Sequence, residues 1–213
     1  MAQVKDYATL SQAILDFSHR DSLSPFVDYL IQDGEDRIYR KILASNEGKG
    51  LHVMEAPLSY SISSLGVGVV PADWLAPKYS VIAANSANYP LIHKDGAWIY
   101  DNWPIRTADG VPQYVAVEGS SFIFGPFPDS TYAITGQYYQ RAAALSATNT
   151  TTWMTTQMPM ALLAACMVAA AKWLKDEQGA QGWMAEMSDR LGDIITADKA
   201  QDYASGSLVM DIA

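Results

Sequence analysis

Over the first fifty residues the apolar positions recur at helical spacing. Leu10, Ile14 and Phe17 fall on one face behind Thr9 and Gln12, whose separation predicts a capping box and a helix over about 9–19. Ser24 and Pro25 then supply a hydroxyl cap and a residue that needs no amide partner. Phe26, Leu30, Ile31, Ile38 and Ile42 carry a second helix to about residue 44, where Asn46, Gly48 and Gly50 end it. From 51 to about 145 the period changes. Turn formers such as Pro57, Gly66, Gly68, Pro71, Pro77, Pro90, Pro104 and Pro112 cut this stretch into pieces too short for helices. Strands are predicted near 51–54, 58–62, 78–84, 97–100, 112–118, 120–124 and 131–140.

The last two strands flank Gly125-Pro126-Phe127-Pro128 and read as a hairpin. Tyr132, Ile134 and Tyr138 share one face of its second strand, with Gly136 as a bulge or a point of close approach. Helical spacing then returns. Pro159 opens a helix to about 177 that presents Leu162, Leu163, Cys166, Ala169, Ala170 and Trp173. A last helix spans about 180–203, with Trp183, Met187, Leu191 and Ile194 or Ile195 as its stripe and Glu186 paired to Arg190 on its surface. The fold class is therefore α+β: an α-helical bundle built from 1–48 and 150–204, with an inserted antiparallel β-sandwich or barrel-like segment over 49–149. Residues 205–213 form an apolar tail, in which Leu208, Val209, Met210 and Ile212 either fold back on the chain or dock on a partner.

Composition narrows the function. With 49% hydrophobic and only 17% charged residues, the 213-residue chain can bury one large core or two small ones. Its 14 basic residues stand against 23 acidic ones, a net charge of −9, which is the wrong sign for gripping phosphate backbones through a basic surface. DNA could still pass such a wall without sticking. The opening MAQVKDYATL lacks the apolar core of an export signal, and the longest apolar run, 158–171, is shorter than the roughly 20 residues of a spanning helix, so neither export nor a membrane is expected. The lone Cys166 forms no internal disulfide, which suits a reducing compartment.

Reacting groups are sparse. His19, His52 and His93 stand at no metal spacing, and neither Gly48-Lys49-Gly50 nor Gly66-Val67-Gly68 completes a nucleotide loop, so no metal or cofactor is expected. Asp16, His19, Arg20 and Asp21 read as a helix end, and Cys166 reads as packing. Asn149-Thr150-Thr151 is a chance sequon in a Thr-rich loop. Two options for chemistry remain in the β-rich part. Glu55, Asp73, Asp95, Asp101, Asp109, Glu118 and Asp129 could supply a pair of catalytic acids. Trp74, Tyr79, Tyr89, Trp98, Tyr100, Trp103 and Tyr114 could line a sugar-binding face or serve as core. A sugar-binding or cell-wall-degrading module is thus the reading from another class.

Several stretches carry a likeness. "YATLSQAILDFSHRDSLSPFVDYLIQDGEDRIYRKI", "VPADWL", "GVPQYVAVEGSSFIFGPFPDSTYAITGQYYQRAAALS" and "TTWMTTQMPMALLAACMVAAAKWLKDEQ" resemble, in this order, the head-to-tail adaptor (head-completion) proteins of tailed bacteriophages, especially the short-tailed ones. The likeness covers about 7–203. It implies a virion structural protein and no enzyme: copies form a ring, commonly of twelve, below the portal protein, extend the DNA channel and receive the tail or nozzle protein. It further implies assembly in the host cytoplasm, free subunits that are mostly monomeric, and DNA that passes without sequence-specific binding. Arg37, Arg40 and Lys41, with the tail residues Leu208, Val209, Met210 and Ile212, are the candidates for contacts with portal or neighbour. A tail-tube subunit of similar β content is the related alternative.

Overall fold

The structure, a computed structural model, describes residues 3–107 and 109–205. It falls into two compact units, one of the described residues up to Val53 together with those from Ala142 onward, the other Met54–Arg141. The tail candidates Leu208, Val209, Met210 and Ile212 lie outside the described residues.

The first unit is helical: α1 Tyr7–Ser18, α2 Val27–Ser45, α4 Trp153–Gln157, α5 Pro159–Trp173 and α6 Glu177–Ser205, with α3 Gly96–Asn102 belonging to the other unit. α5 is its axis. Every residue from Ala161 to Ala171 is buried, as expected of a helix that is apolar all round, and α1, α2, α4 and α6 all pack against it. Small side chains allow this crowding. Leu10 and Ile14 of α1, Leu30, Ile31, Ile38 and Ile42 of α2, and Met187, Leu191 and Ile195 of α6 fill the remaining space.

Two polar groups tie the returning chain to α2. The buried Glu35 carboxylate accepts the Leu145 amide at 3.2 Å, and the Tyr39 hydroxyl accepts the Ala142 amide at 2.9 Å. Asn149 donates to the carbonyls of Ala143 and Ala144 at 2.9 and 3.0 Å, so the sequon asparagine shapes its own loop.

Local details depart from expectation. The box that starts α1 is Asp6 with Thr9, one turn earlier than Thr9 with Gln12, because the Asp6 carboxylate accepts the Thr9 amide at 2.9 Å. Asp21–Phe26 is a 3-10 turn that ends where α2 begins, so Ser24 and Pro25 precede α2 and do not cap it. The α1 end is closed by backbone: the amides of His19, in a left-handed conformation, and of Arg20 reach the carbonyls of Asp16 and Leu15. α5 stops at Trp173, and Asp176 takes the role of starting α6 by accepting the Gly179 amide at 2.9 Å.

The second unit is a nearly closed, barrel-like seven-stranded sheet. Its strands are β1 Glu55–Ile62, β2 Val67–Val69, β3 Trp74–Ala84, β4 Ala87–His93, β5 Tyr114–Glu118, β6 Ser121–Gly125 and β7 Tyr132–Gln140, in the order β1-β7-β3-β4-β5-β6-β2. The α+β class holds. Ile62, Ile82, Leu91, Val115, Phe122, Phe124 and Ile134 fill the interior. Gly68 of β2 lies against the Tyr60 ring of β1, where a Cβ would stand 2.6 Å from the ring; the absent side chain lets the two end strands approach.

Four strand expectations are corrected. Residues 51–54 contain a short 3-10 turn, His52–Met54, and 97–100 lie in a helix, α3 Gly96–Asn102, whose Ile99 packs on Ala116 and Ile123 outside the barrel. β6 and β7 form no hairpin: β6 pairs with β5 and β2, while β7 pairs with β1 and β3. Finally, β4 and β5 run parallel, because the α3 crossover between them returns the chain to the same end of the sheet. Gly136 is a close-approach point, while the register shifts next to it fall on β3, between Trp74 and Ala76 and between Pro77 and Tyr79.

Candidate interaction surfaces

The three basic candidates of α2 differ in what they can offer. Asp33 and Arg37 stand one turn apart, and Arg37 Nε meets Asp33 Oδ2 at 2.7 Å with only 22% of the side chain exposed. Its charge is largely spent inside the helix. Arg40 is 72% exposed; its Nε donates to the Asp36 carbonyl at 3.1 Å and its far nitrogen lies 4.0 Å from Asp33. Lys41 is half-buried. Arg40 is therefore the one of the three that presents most of its cationic group to solvent.

The aromatic candidates of the β unit separate into core and surface. Trp74 stacks on Tyr138 and meets Phe122 edge-on, both at 5.1 Å. Trp98, Trp103 and Tyr114 form one half-buried cluster with ring centres 4.7 to 5.7 Å apart, packed against Ile99, Ala116 and Ile123. Lys94 lies over Trp98, and Arg106 lies between the rings of Tyr100 and Phe127 while donating to the Phe124 carbonyl at 2.8 Å. Tyr79, Tyr89 and Tyr100 alone of the seven are exposed.

Four of the seven acidic candidates of this unit meet a side-chain partner. Glu55 meets Lys78 at 2.5 Å, Asp73 accepts the Tyr138 hydroxyl at 2.9 Å, Glu118 accepts the Tyr100 hydroxyl at 2.8 Å, and Asp129 accepts from Tyr132. Burial, and then the Asp73 carboxylate, push the Tyr138 phenol up to about 12, so it stays a donor. Among the described residues no group of three or more His, Cys, Asp or Glu could hold a metal ion. Cys166 is fully buried on α5, and burial, reinforced by Glu35 and Asp33, raises its thiol far above the usual range, which keeps it protonated and consistent with packing. Burial lowers the pKa of His93, whose Nε2 lies 3.2 Å from Ser80 Oγ. No described helix is long and apolar enough to cross a membrane.

The sequence profile of the SU10 adaptor protein family matches residues 5–211, both units and nearly the whole chain. The chain belongs to this phage head-to-tail adaptor family. A search of curated proteins returned no match. As an adaptor the protein is a virion component, and membership implies association with portal and tail proteins.

Sequence reasoning missed one surface of the adaptor. Phe26 and Trp173 recur at helical spacing with buried apolar residues, yet they are 41% and 51% exposed and face each other at 5.0 Å, with Tyr29, 58% exposed, 6.3 Å from Trp173. Helical spacing alone cannot tell a core stripe from a surface cluster of the same period.

Proposed function

We propose that copies of this adaptor assemble into a ring of about twelve beneath the portal, extend the DNA channel and present the surface to which the tail or nozzle attaches. The match over residues 5–211 is the observation that carries this reading. The charge of −9 supports it, since an acidic lining lets a polyanion slide. So does the engagement of Glu55, Asp73 and Glu118 by a lysine and two tyrosines, which suits a rigid part working by shape. The work requires no reacting group, and assembly takes place in the host cytoplasm before the subunits are locked into the virion.

In this reading residues 1–48 with 150–204 act as the helical domain and 49–149 as an inserted β domain. Arg40, backed by Arg37 and Lys41, contributes to the portal or neighbour contact, and the segment 205–213 with Leu208, Val209, Met210 and Ile212 docks on a partner. Sedimentation of the purified chain with and without portal rings tests the proposal. Monomer alone and co-sedimentation with portal is the expected result; independent sedimentation of the two proteins at all concentrations would overturn it.

A further inference from the structure

The helical unit ends in an arm. Residues 174–176 join α5 to α6 and the two helices pack side by side, so they run antiparallel. α6 has 29 residues against the 15 of α5, so it passes the start of α5 by about 14 residues, ~21 Å at ~1.5 Å per residue. Among the described side chains Ile195 is the last of α6 to be buried, and beyond it Asp198 accepts the His52 amide at 3.1 Å. The arm leads into residues 206–213, which carry Leu208, Val209, Met210 and Ile212. At the start of α5 a groove of about 420 Å³ opens between its first turns and α1, walled by Val4, Ala8, Ala13, Phe17, Met160 and Leu163.

We infer that the apolar tail of one adaptor copy, carried on its α6 arm, seats in the α1–α5 groove of the next copy. This rests on the ring reading above and names the partner on which the tail docks. Reach selects the neighbour. A fully extended chain advances at most ~3.6 Å per residue, so from Ser205 the tail carries Leu208 ~11 Å and Met210 ~18 Å. The Met160 wall lies ~20 Å back along the bundle, before the turn back and the sideways step across α5 are added. Leu208, Val209 and Met210 therefore fall short of their own groove. Chemistry selects the tail, since an apolar wall is covered by an apolar segment. Charge selects nothing: Asp16 sits on the wall, held by Gln12 Nε2 at 2.8 Å, Lys5 and Arg20 border α1 at its two ends, and the tail brings Asp211.

Tail and groove are different parts of one chain, so each copy supplies one donor and one acceptor. Passed from copy to copy, such a contact is heterologous and closes into a ring when the rotation permits, with no tail and no groove left over. Two copies that trade tails with each other close as a dimer instead. The number of linked copies separates the two.

The test uses the full chain with Met160→Cys and Met210→Cys, mixed with portal rings under mild oxidation. The native Cys166 is buried, and each single variant serves as a control that stays unlinked. A ladder of linked adaptor chains extending beyond the dimer is expected in the portal-bound layer. In parallel, Leu208→Asp with Ile212→Asp is expected to leave the melting temperature of the free subunit unchanged and to raise the concentration needed for layer formation at least about tenfold. A portal-bound layer without the ladder, a disulfide closed within one chain, a product that stops at the dimer, or a lowered melting temperature of the free variant overturns this contact and leaves the ring reading standing. Failure of the wild type to form any layer overturns both.

Discussion

A Cβ added to Gly34 of α2 would stand 2.7 Å from Cys166 Sγ and 3.0 Å from the Cys166 backbone nitrogen. The two residues are the point at which α2 and α5 touch backbone to backbone, which explains both a glycine inside a helix and a cysteine on an alanine-rich face. Gly34→Ala is expected to destabilise the protein by about 1–3 kcal/mol, because the overpacking outweighs the better helix propensity of alanine. Cys166→Ala in the same chain should recover part of the loss, and chemical denaturation of the double-mutant cycle measures the coupling.

Gly136 plays the same part in the barrel with less room to yield. A Cβ there would lie 2.2 Å from the Tyr79 carbonyl oxygen and 2.8 Å from Ser80 Cα, both on the paired strand β3. Neither can move without opening the ladder. Gly136→Ala is expected to cost about 3 kcal/mol, read as a lower denaturation midpoint with unchanged slope.

His93 gives the stability a pH dependence of known sign. Burial lowers its pKa from the ordinary 6.5, so below that pH the unfolded chain binds a proton that the folded chain refuses. The stabilisation is whole above 6.5 and is lost as the pH falls toward the folded value. The melting temperature of the wild type should therefore decline between about pH 7 and 5 more steeply than that of His93→Gln. Parallel curves for the two proteins would contradict this.

The periodic parts of the fold were legible in the sequence, and the long-range parts were not. α2, α5 and α6 have apolar residues at helical spacing, and α5 is apolar throughout, so their existence follows from burial alone. β4 escaped notice because six of its seven residues are not buried and Pro90 sits in its middle, so no alternation marks it. In α3 the sequence Ala97-Trp98-Ile99-Tyr100 has strand-like residue types, and only its packing on Ala116 and Ile123 makes it a helix. The strands on either side of Pro126 read as partners from sequence because neighbours in sequence usually pair, whereas closing the barrel places β6 beside β2 and β7 between β1 and β3. Of the surface, the basic residues of α2 were visible as types, but which of them is spent on Asp33 depended on geometry.

That geometry separates two charge reversals. Arg40→Glu is expected to weaken portal association roughly tenfold, equivalent to about 1.4 kcal/mol, with the effect shrinking at high salt. Arg37→Glu should change association less, because its guanidinium is held by Asp33. Titration of each variant against portal rings at two ionic strengths checks the order.

The central claim is that this chain acts as a ring subunit at the head-tail junction. Electron microscopy of portal rings mixed with the purified protein tests it most directly. The account predicts a second, co-axial layer on one face of the portal, built of repeated copies around an open channel. Portal rings that remain bare at saturating protein, or that carry isolated copies with no layer, would contradict it.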